Sequence, residues 1–394
     1  MAISEVVKNA MVIGSYIRKM FEEGIALKKI HGDENVFDFS LGNPILEPPE
    51  AFTRELENLV YNPKPGMHLQ TEEAGYAETR AAIATQLTLD TGIKFSKNEI
   101  VMAFGAAGAV NISLKTLLNP GEEVISFLPN YFEYVNYSAN HGGGIKYVPC
   151  DNNLNPRFDI LESSISLNTK AVIINSPNNP TGHVYSHETL EKIAEVVTRR
   201  CAQLHHRVYI ISDDVYSNLY YGEGKCPRFI QHYPHSLVAT SYSKDLSLPG
   251  ERIGYVAVHP DCEDKEDITR GLVYANQVLG FINPPALMQN VVRNLQNVCV
   301  DLNIYRRKRD YLYDSLSSMG YSIVKPEGAF YVFPRSPNPD DESFVQELKQ
   351  LLVLAVPGHV FRAPGYFRLT YCVDDKVIEG SLKGFKKAIE KYKG

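Results

Sequence analysis

The chain has 394 residues, 44% of them hydrophobic, and 40 Lys and Arg against 46 Asp and Glu give it a formal net charge of -6. That length and apolar content suit about two to three domains with a large core, and mild acidity without a basic block excludes a surface that tracks nucleic acid. No apolar run approaches the roughly 20 residues of a bilayer-spanning helix, no signal-peptide core opens the chain, and the six cysteines show no metal-ligand spacing, so a soluble cytoplasmic protein without membrane or metal is expected.

Residues 4 to 29 place Val7, Met11, Tyr16, Ile17, Met20 and Phe21 at roughly helical spacing, which predicts a helix or arm packed on the main body. Phe37-Asp38-Phe39 reads as a short strand broken at Gly42 and Pro44, and that glycine stands where something approaches the backbone closely. A helical pattern returns from Ala74 to Leu89. Ile100–Phe104 is a buried-strand pattern, and Gly105-Ala106-Ala107-Gly108-Ala109 opens an apolar helix directly after it. Such a start leaves backbone N–H groups exposed, as an anion site or simply as a tight turn. The strand Glu123–Phe127 runs on to Tyr131, Phe132 and Tyr134, an aromatic cluster suited either to stacking on a flat ring or to the core.

His141-Gly142-Gly143-Gly144 has no Gly-x-Ser-x-Gly elbow to accompany it and reads as a connection. The strand Ala171–Asn175 feeds Ser176-Pro177-Asn178-Asn179-Pro180-Thr181-Gly182, a rigid loop that presents an amide side chain. A helix from Ser186 to Cys201 precedes the strand Val208–Ser212, which ends at Asp213 and Tyr216. A carboxylate there is costly unless a cation meets it. Ser236–Thr240 then delivers Lys244 between small hydroxyl residues, Ser241 and Ser243, with Arg252 eight positions on and Gly254 beyond. A lysine acts on a carbonyl only as the neutral amine, against an unperturbed pKa of about 10.4. A nearby cation such as Arg252, or conversion to an imine, removes that obstacle, and the serines suit an anion such as phosphate.

Strands alternate with helices from about 100 to 260, so an α/β fold with a largely parallel sheet is expected, its polar residues gathered at the carboxyl ends of the strands. The C-terminal part, with Tyr321–Val324, Gly328–Phe333 and Phe367–Cys372 as short strands, reads as a smaller α/β lobe. The expected division is an N-terminal arm with part of the small domain over 1–45, a large domain over 46–285 and a small C-terminal domain over 286–394. There is no internal repeat.

In their order along nearly the whole chain, the turn at 105, the Ser-Pro-Asn-Asn-Pro-Thr-Gly loop, Asp213-x-x-Tyr216, Ser241-x-Ser243-Lys244 with Arg252, and Phe367-Arg368-Leu369 resemble the class I/II aminotransferases, the aspartate-aminotransferase family of fold-type-I pyridoxal-phosphate enzymes. The resemblance implies that Lys244 forms a Schiff base with pyridoxal 5'-phosphate and later moves the substrate's α-proton. Asp213 would keep the pyridine nitrogen protonated, Asn179 and Tyr216 would bond the ring's phenolic oxygen, and Tyr131 would stack on the ring. Phosphate would fall to Gly105, Ala106, Ala107, Ser241, Ser243 and Arg252. Arg368 would clamp the substrate carboxylate beside Gly42. An L-amino acid and a 2-oxo acid are the implied partners in ping-pong transfer, and a homodimer is the implied assembly.

Where the family places a tyrosine donated across the dimer to the partner's phosphate, five residues before Gly75, this chain has Gln70. A glutamine still donates a hydrogen bond but is shorter and less acidic than tyrosine. It leaves a lyase, decarboxylase or oxidase on the same scaffold as the alternative reaction, and a non-catalytic binding protein as the alternative class. Residues 271–283 lack the second arginine of dicarboxylate-specific relatives, and Arg18 is the candidate that reaches an acidic side chain from the N-terminal arm.

Overall fold

Runs rich in Val and Ile form strands whose buried side chains alternate between two faces. A computed structural model describes residues 3–393; the side chains of residues 6, 9, 10, 12–19 and 21 lie outside the described set. In chain order the strands are β1 (Phe37–Asp38), β2 (Ile100–Ala103), β3 (Glu123–Leu128), β4 (Gly144–Pro149), β5 (Thr169–Asn175), β6 (Tyr209–Asp213), β7 (Ser236–Ser241), β8 (Gly254–Val258), β9 (Tyr331–Val332), β10 (Val353–Leu354), β11 (Val356–Pro357) and β12 (Phe367–Thr370).

β2 to β8 form one seven-stranded sheet in the order β2-β8-β7-β6-β5-β3-β4. Neighbours from β7 through β4 run parallel, and β8 is antiparallel to both strands beside it. On β2, Val101 and Ala103 join one apolar cluster while Ile100 and Met102 join another. β6 divides in the same way between Ile211 and Ile210. Both faces are covered, which is why these strands read as continuous apolar runs. The parallel register sets Asn175 of β5 beside Asp213 of β6, so polar residues line up at one edge. The α/β class expected from the sequence is the one observed.

β1 pairs with β10, and β11, β12 and β9 form an antiparallel sheet. Met20, Phe39, Tyr305, Phe330, Phe344, Leu354, Phe367 and Phe385 belong to one core, so the start of the chain packs with its end. Helix Glu5–His31 leads into this unit; Ser4 caps it by accepting from Val7 N at 3.3 Å. Tyr321–Val324, read as a strand, joins no ladder. Tyr321 is anchored instead by its own hydroxyl, which donates to Phe385 O at 2.9 Å. Helix Ala286–Val292, which the expected division assigned to the C-terminal unit, packs with the large sheet through Met288, Val291 and Val292. Among the described residues no helix is long and apolar enough to cross a membrane.

Candidate active site

A cavity of about 310 Å³ opens at the carboxyl edge of the sheet, walled by Gly42, Ala106, Ala107, Tyr131, Asn179, Asp213, Tyr216, Ser241, Ser243, Lys244, Arg252 and Arg368. Residues more than 300 positions apart thus meet in one wall. Three candidate residues stand outside that list. Gly105 lies just behind the wall, Gln70 is exposed in the loop before helix Ala77–Thr91, and Arg18 belongs to helix Glu5–His31 with its side chain outside the described residues.

Lys244 follows the end of β7 and points its amine at the backbone of the opposite unit, donating from Nζ to Gly42 O at 2.8 Å. Burial pulls its pKa down to about 8; Cys372 opposes that fall, and the positive charges of Arg368 and Arg252 add to it by lesser amounts. The amine is therefore neutral above that pH. Capture of an aldehyde by the cofactor-free chain is expected to accelerate as pH rises through about 8 and then level off, as read by stopped-flow absorbance with added pyridoxal phosphate. A rate that is flat across that range would assign the capture to another group.

Asp213 ends β6 and is buried. Its Oδ2 accepts from the Tyr134 hydroxyl at 2.6 Å, and its Oδ1 is buried with no hydrogen-bond partner. Burial pushes its pKa up to about 6; the Tyr134 hydrogen bond and, more weakly, the nearby Val215 backbone N–H oppose that rise, and Asp214 adds to it. Asn175 ties the neighbouring pieces together, donating from Nδ2 to Asp213 O at 2.9 Å and accepting from Asn179 N at 2.7 Å. The Asn179 side chain in turn accepts from Arg368 Nη1 at 3.0 Å.

Arg368, on β12, is 3% exposed; it also donates from Nη2 to Ser40 O at 2.6 Å, and its buried Nε has no partner. Its guanidinium packs on the rings of Tyr331 and Phe361, at 4.7 and 4.8 Å from their centroids. Arg252 has a left-handed backbone (φ 52) after the turn Pro249–Glu251 and donates from Nη1 to Pro249 O at 2.9 Å. Gly105 begins helix Gly105–Leu117 at φ 70, and a Cβ there would meet Arg252 Nη2 at 2.8 Å. The glycine lets the guanidinium approach the helix start, where Ala106 and Ala107 of the first turn line the cavity.

Tyr134, Asn175 and Tyr331 were not singled out from the sequence as site residues. Asn175 had a visible signal, as the amide closing a buried parallel strand, whereas Tyr134 stood in an aromatic cluster that also suited a core. Among the described residues no group of three or more His, Cys, Asp or Glu could hold a metal ion.

The cavity's own atoms suit pyridoxal phosphate: a buried carboxylate oxygen lacks a partner, a buried amine with a lowered pKa lines the same cavity, and a helix start with two serines and an arginine offers an anion cradle. The family model described as aminotransferase class I and II matches residues 34–384. A probable aspartate/prephenate aminotransferase of Aquifex aeolicus is 30% identical over 377 residues, covering 90% of this chain and 91% of its own. Aromatic-amino-acid aminotransferase 2 of Thermococcus litoralis is 28% identical and covers 100% of each chain. Among solved structures, an amino transferase from Eubacterium rectale superposes with a TM-score of 0.97 at 36% identity over 100% of both chains. The aspartate aminotransferase of Thermus thermophilus with maleate gives 0.86 at 25% identity, covering 98% of this chain and 100% of that one.

Architecture and matches together define a fold-type-I α/β transferase. The chain belongs to the class I and II aminotransferase family, and it is an enzyme that transfers amino groups with pyridoxal phosphate.

Proposed function

We propose that this cavity holds pyridoxal phosphate and moves the amino group of an L-amino acid to a 2-oxo acid in two half-reactions. The observation that carries this reading is the convergence on one cavity of the Lys244 amine, the unpartnered Asp213 Oδ1 and the Arg368 guanidinium. When bound, the cofactor supplies an electron-withdrawing ring conjugated to an aldehyde, which acidifies the α-carbon of an attached amino acid.

Asp213 Oδ1 would accept a hydrogen bond from the protonated ring nitrogen and so keep the proton there, a charge-assisted bond worth about 1.5–3 kcal/mol net. Tyr134 supports that role by occupying the other carboxylate oxygen. Of the residues lining the cavity, Asn179 and Tyr216 would donate to the ring's phenolic oxygen, Tyr131 would cover a ring face, and Ala106, Ala107, Ser241, Ser243 and Arg252 would hold the phosphate. Lys244 Nζ would hold the cofactor, and the same amine is the base that would take and return the substrate's α-proton. Arg368 receives the substrate carboxylate with Gly42 alongside; its free Nε and planar fork suit bidentate binding.

The same reading takes the enzyme to be a cytoplasmic homodimer in which Gln70 serves the partner's cavity. Tyr61 and Leu69, 81% and 69% exposed near Gln70 in the chain, are apolar surface of the kind a second subunit covers. Domain boundaries follow the packing, with Met20 and Phe39 from the start of the chain joining the core of the C-terminal unit.

A panel of L-amino acids mixed with the cofactor-loaded enzyme tests the reaction type. It includes aspartate and aromatic amino acids, which figure in the relatives' names. Loss of the cofactor's visible absorbance with one 2-oxo acid per site, and recovery on adding a 2-oxo acid, is the expected result. Continuous ammonia or carbon dioxide release without an oxo-acid acceptor would identify a lyase, oxidase or decarboxylase instead.

A further inference from the structure

Tyr331 lies on β9, next to β12, with Thr370 opposite it and Leu369 opposite Val332. Its side chain is 2% exposed and lines the cavity. Three neighbours with proposed roles touch it. The hydroxyl stands 3.0 Å from the Tyr216 hydroxyl. The guanidinium of Arg368 packs over the ring at 4.7 Å. The hydroxyl also fills the space that a Cβ on residue 42 would need, so it is glycine that admits the phenol beside the carbonyl bonded to Lys244 Nζ. The ring itself is fixed by Phe330 at 5.0 Å and by edge-on contact with Tyr216 at 5.9 Å and 82°.

We infer that Tyr331 is a positioning residue that couples the substrate-carboxylate clamp to the Tyr216 phenol: its ring fixes the plane of Arg368 and its hydroxyl fixes the direction of the Tyr216 proton. The inference rests on the roles proposed above for Tyr216 and Arg368. Burial holds both phenols in the protonated form, Tyr331 at about 12 and Tyr216 well above the usual tyrosine value. One phenol therefore donates to the other. With Tyr331 as donor, the Tyr216 hydrogen is left to point into the cavity, and two bonds in series polarise each other. Arg368, packed on the rings of Tyr331 and Phe361, is aligned before a carboxylate arrives, which lowers the ordering cost of binding.

The test compares Tyr331→Phe, which keeps the ring and loses the hydroxyl, with Tyr331→Leu, which loses both, each also in a Tyr216→Phe background. Donor KM, kcat and the visible-absorbance pH midpoint of the bound cofactor are read for every variant. Tyr331→Phe is expected to lower kcat about 2- to 10-fold, the worth of one neutral hydrogen bond, and to move the spectral midpoint while donor KM stays within about twofold. In the Tyr216→Phe background the same change is expected to do almost nothing, because the bond it removes is already gone. Tyr331→Leu is expected to raise donor KM by a further factor of about 2 to 30 through loss of the ring under Arg368. Wild-type kcat, KM and midpoint in Tyr331→Phe, or an effect that adds in full to that of Tyr216→Phe, overturns the inference. If Tyr216→Phe and Arg368→Lys are themselves silent, the failure lies in the roles assigned to those two residues.

Discussion

Lys244→Ala is expected to abolish turnover and the visible absorbance of the bound cofactor together, with kcat falling by more than about a thousandfold. Proton transfer by a positioned side chain is worth about 10²–10⁴-fold by itself, and covalent attachment is lost with it. The loss will not come from unfolding. Burial lowers the Lys244 pKa to about 8 from an unfolded value near 10.5, so the protonated amine costs folding free energy below about 8, and stability is gained as pH rises between the two values. Alanine removes that cost, and thermal unfolding at pH 7 should show a midpoint equal to or above that of the wild type. Turnover within tenfold of wild type would remove Lys244 from the mechanism.

Arg368→Lys is expected to lower kcat/KM by about 30- to 100-fold for every amino donor. Truncating one partner of a buried, hydrogen-bonded charge pair costs about 2–5 kcal/mol, and lysine, which keeps the charge but not the fork, should fall near the lower end. The change should be uniform across donors because the α-carboxylate is common to all of them. Single-turnover half-reactions with several donors measure it. An effect confined to acidic donors would reassign Arg368 to side-chain recognition. Stability should fall as well, by about 1–3 kcal/mol, since Arg368 donates to Asn179 Oδ1 at 3.0 Å and to Ser40 O at 2.6 Å and leaves buried acceptors behind.

The parts of the site legible in the sequence share a physical trait: each is a polar residue at the end of an apolar run, where its burial demands a reason. Ser241 closes β7 with Lys244 just after it, Asp213 closes β6, and Asn179 stands in a proline-stiffened loop after β5. A largely parallel sheet brings such ends to one edge, so their meeting in a single cavity follows from topology. The residues that escaped notice owe their places to packing across long separations. Tyr134 meets Asp213 from 79 residues away, and Tyr331 meets Tyr216 from 115. In a chain with 24 tyrosines, neither has a local pattern that separates it from a core aromatic. Tyr321–Val324 shows the opposite error, since its residue types suited a strand but no neighbouring ladder accepts them. Gln70, a polar residue in an exposed loop, touches nothing in the single chain that marks it as a site residue.

The central claim is that one amine, on Lys244, tethers the cofactor opposite the Asp213 carboxylate. Borohydride reduction of the cofactor-loaded enzyme, followed by proteolysis and peptide mass spectrometry, tests it most directly. The account predicts the cofactor's added mass on the peptide containing Lys244 and on no other; the same mass on a different lysine, or on none, would contradict it.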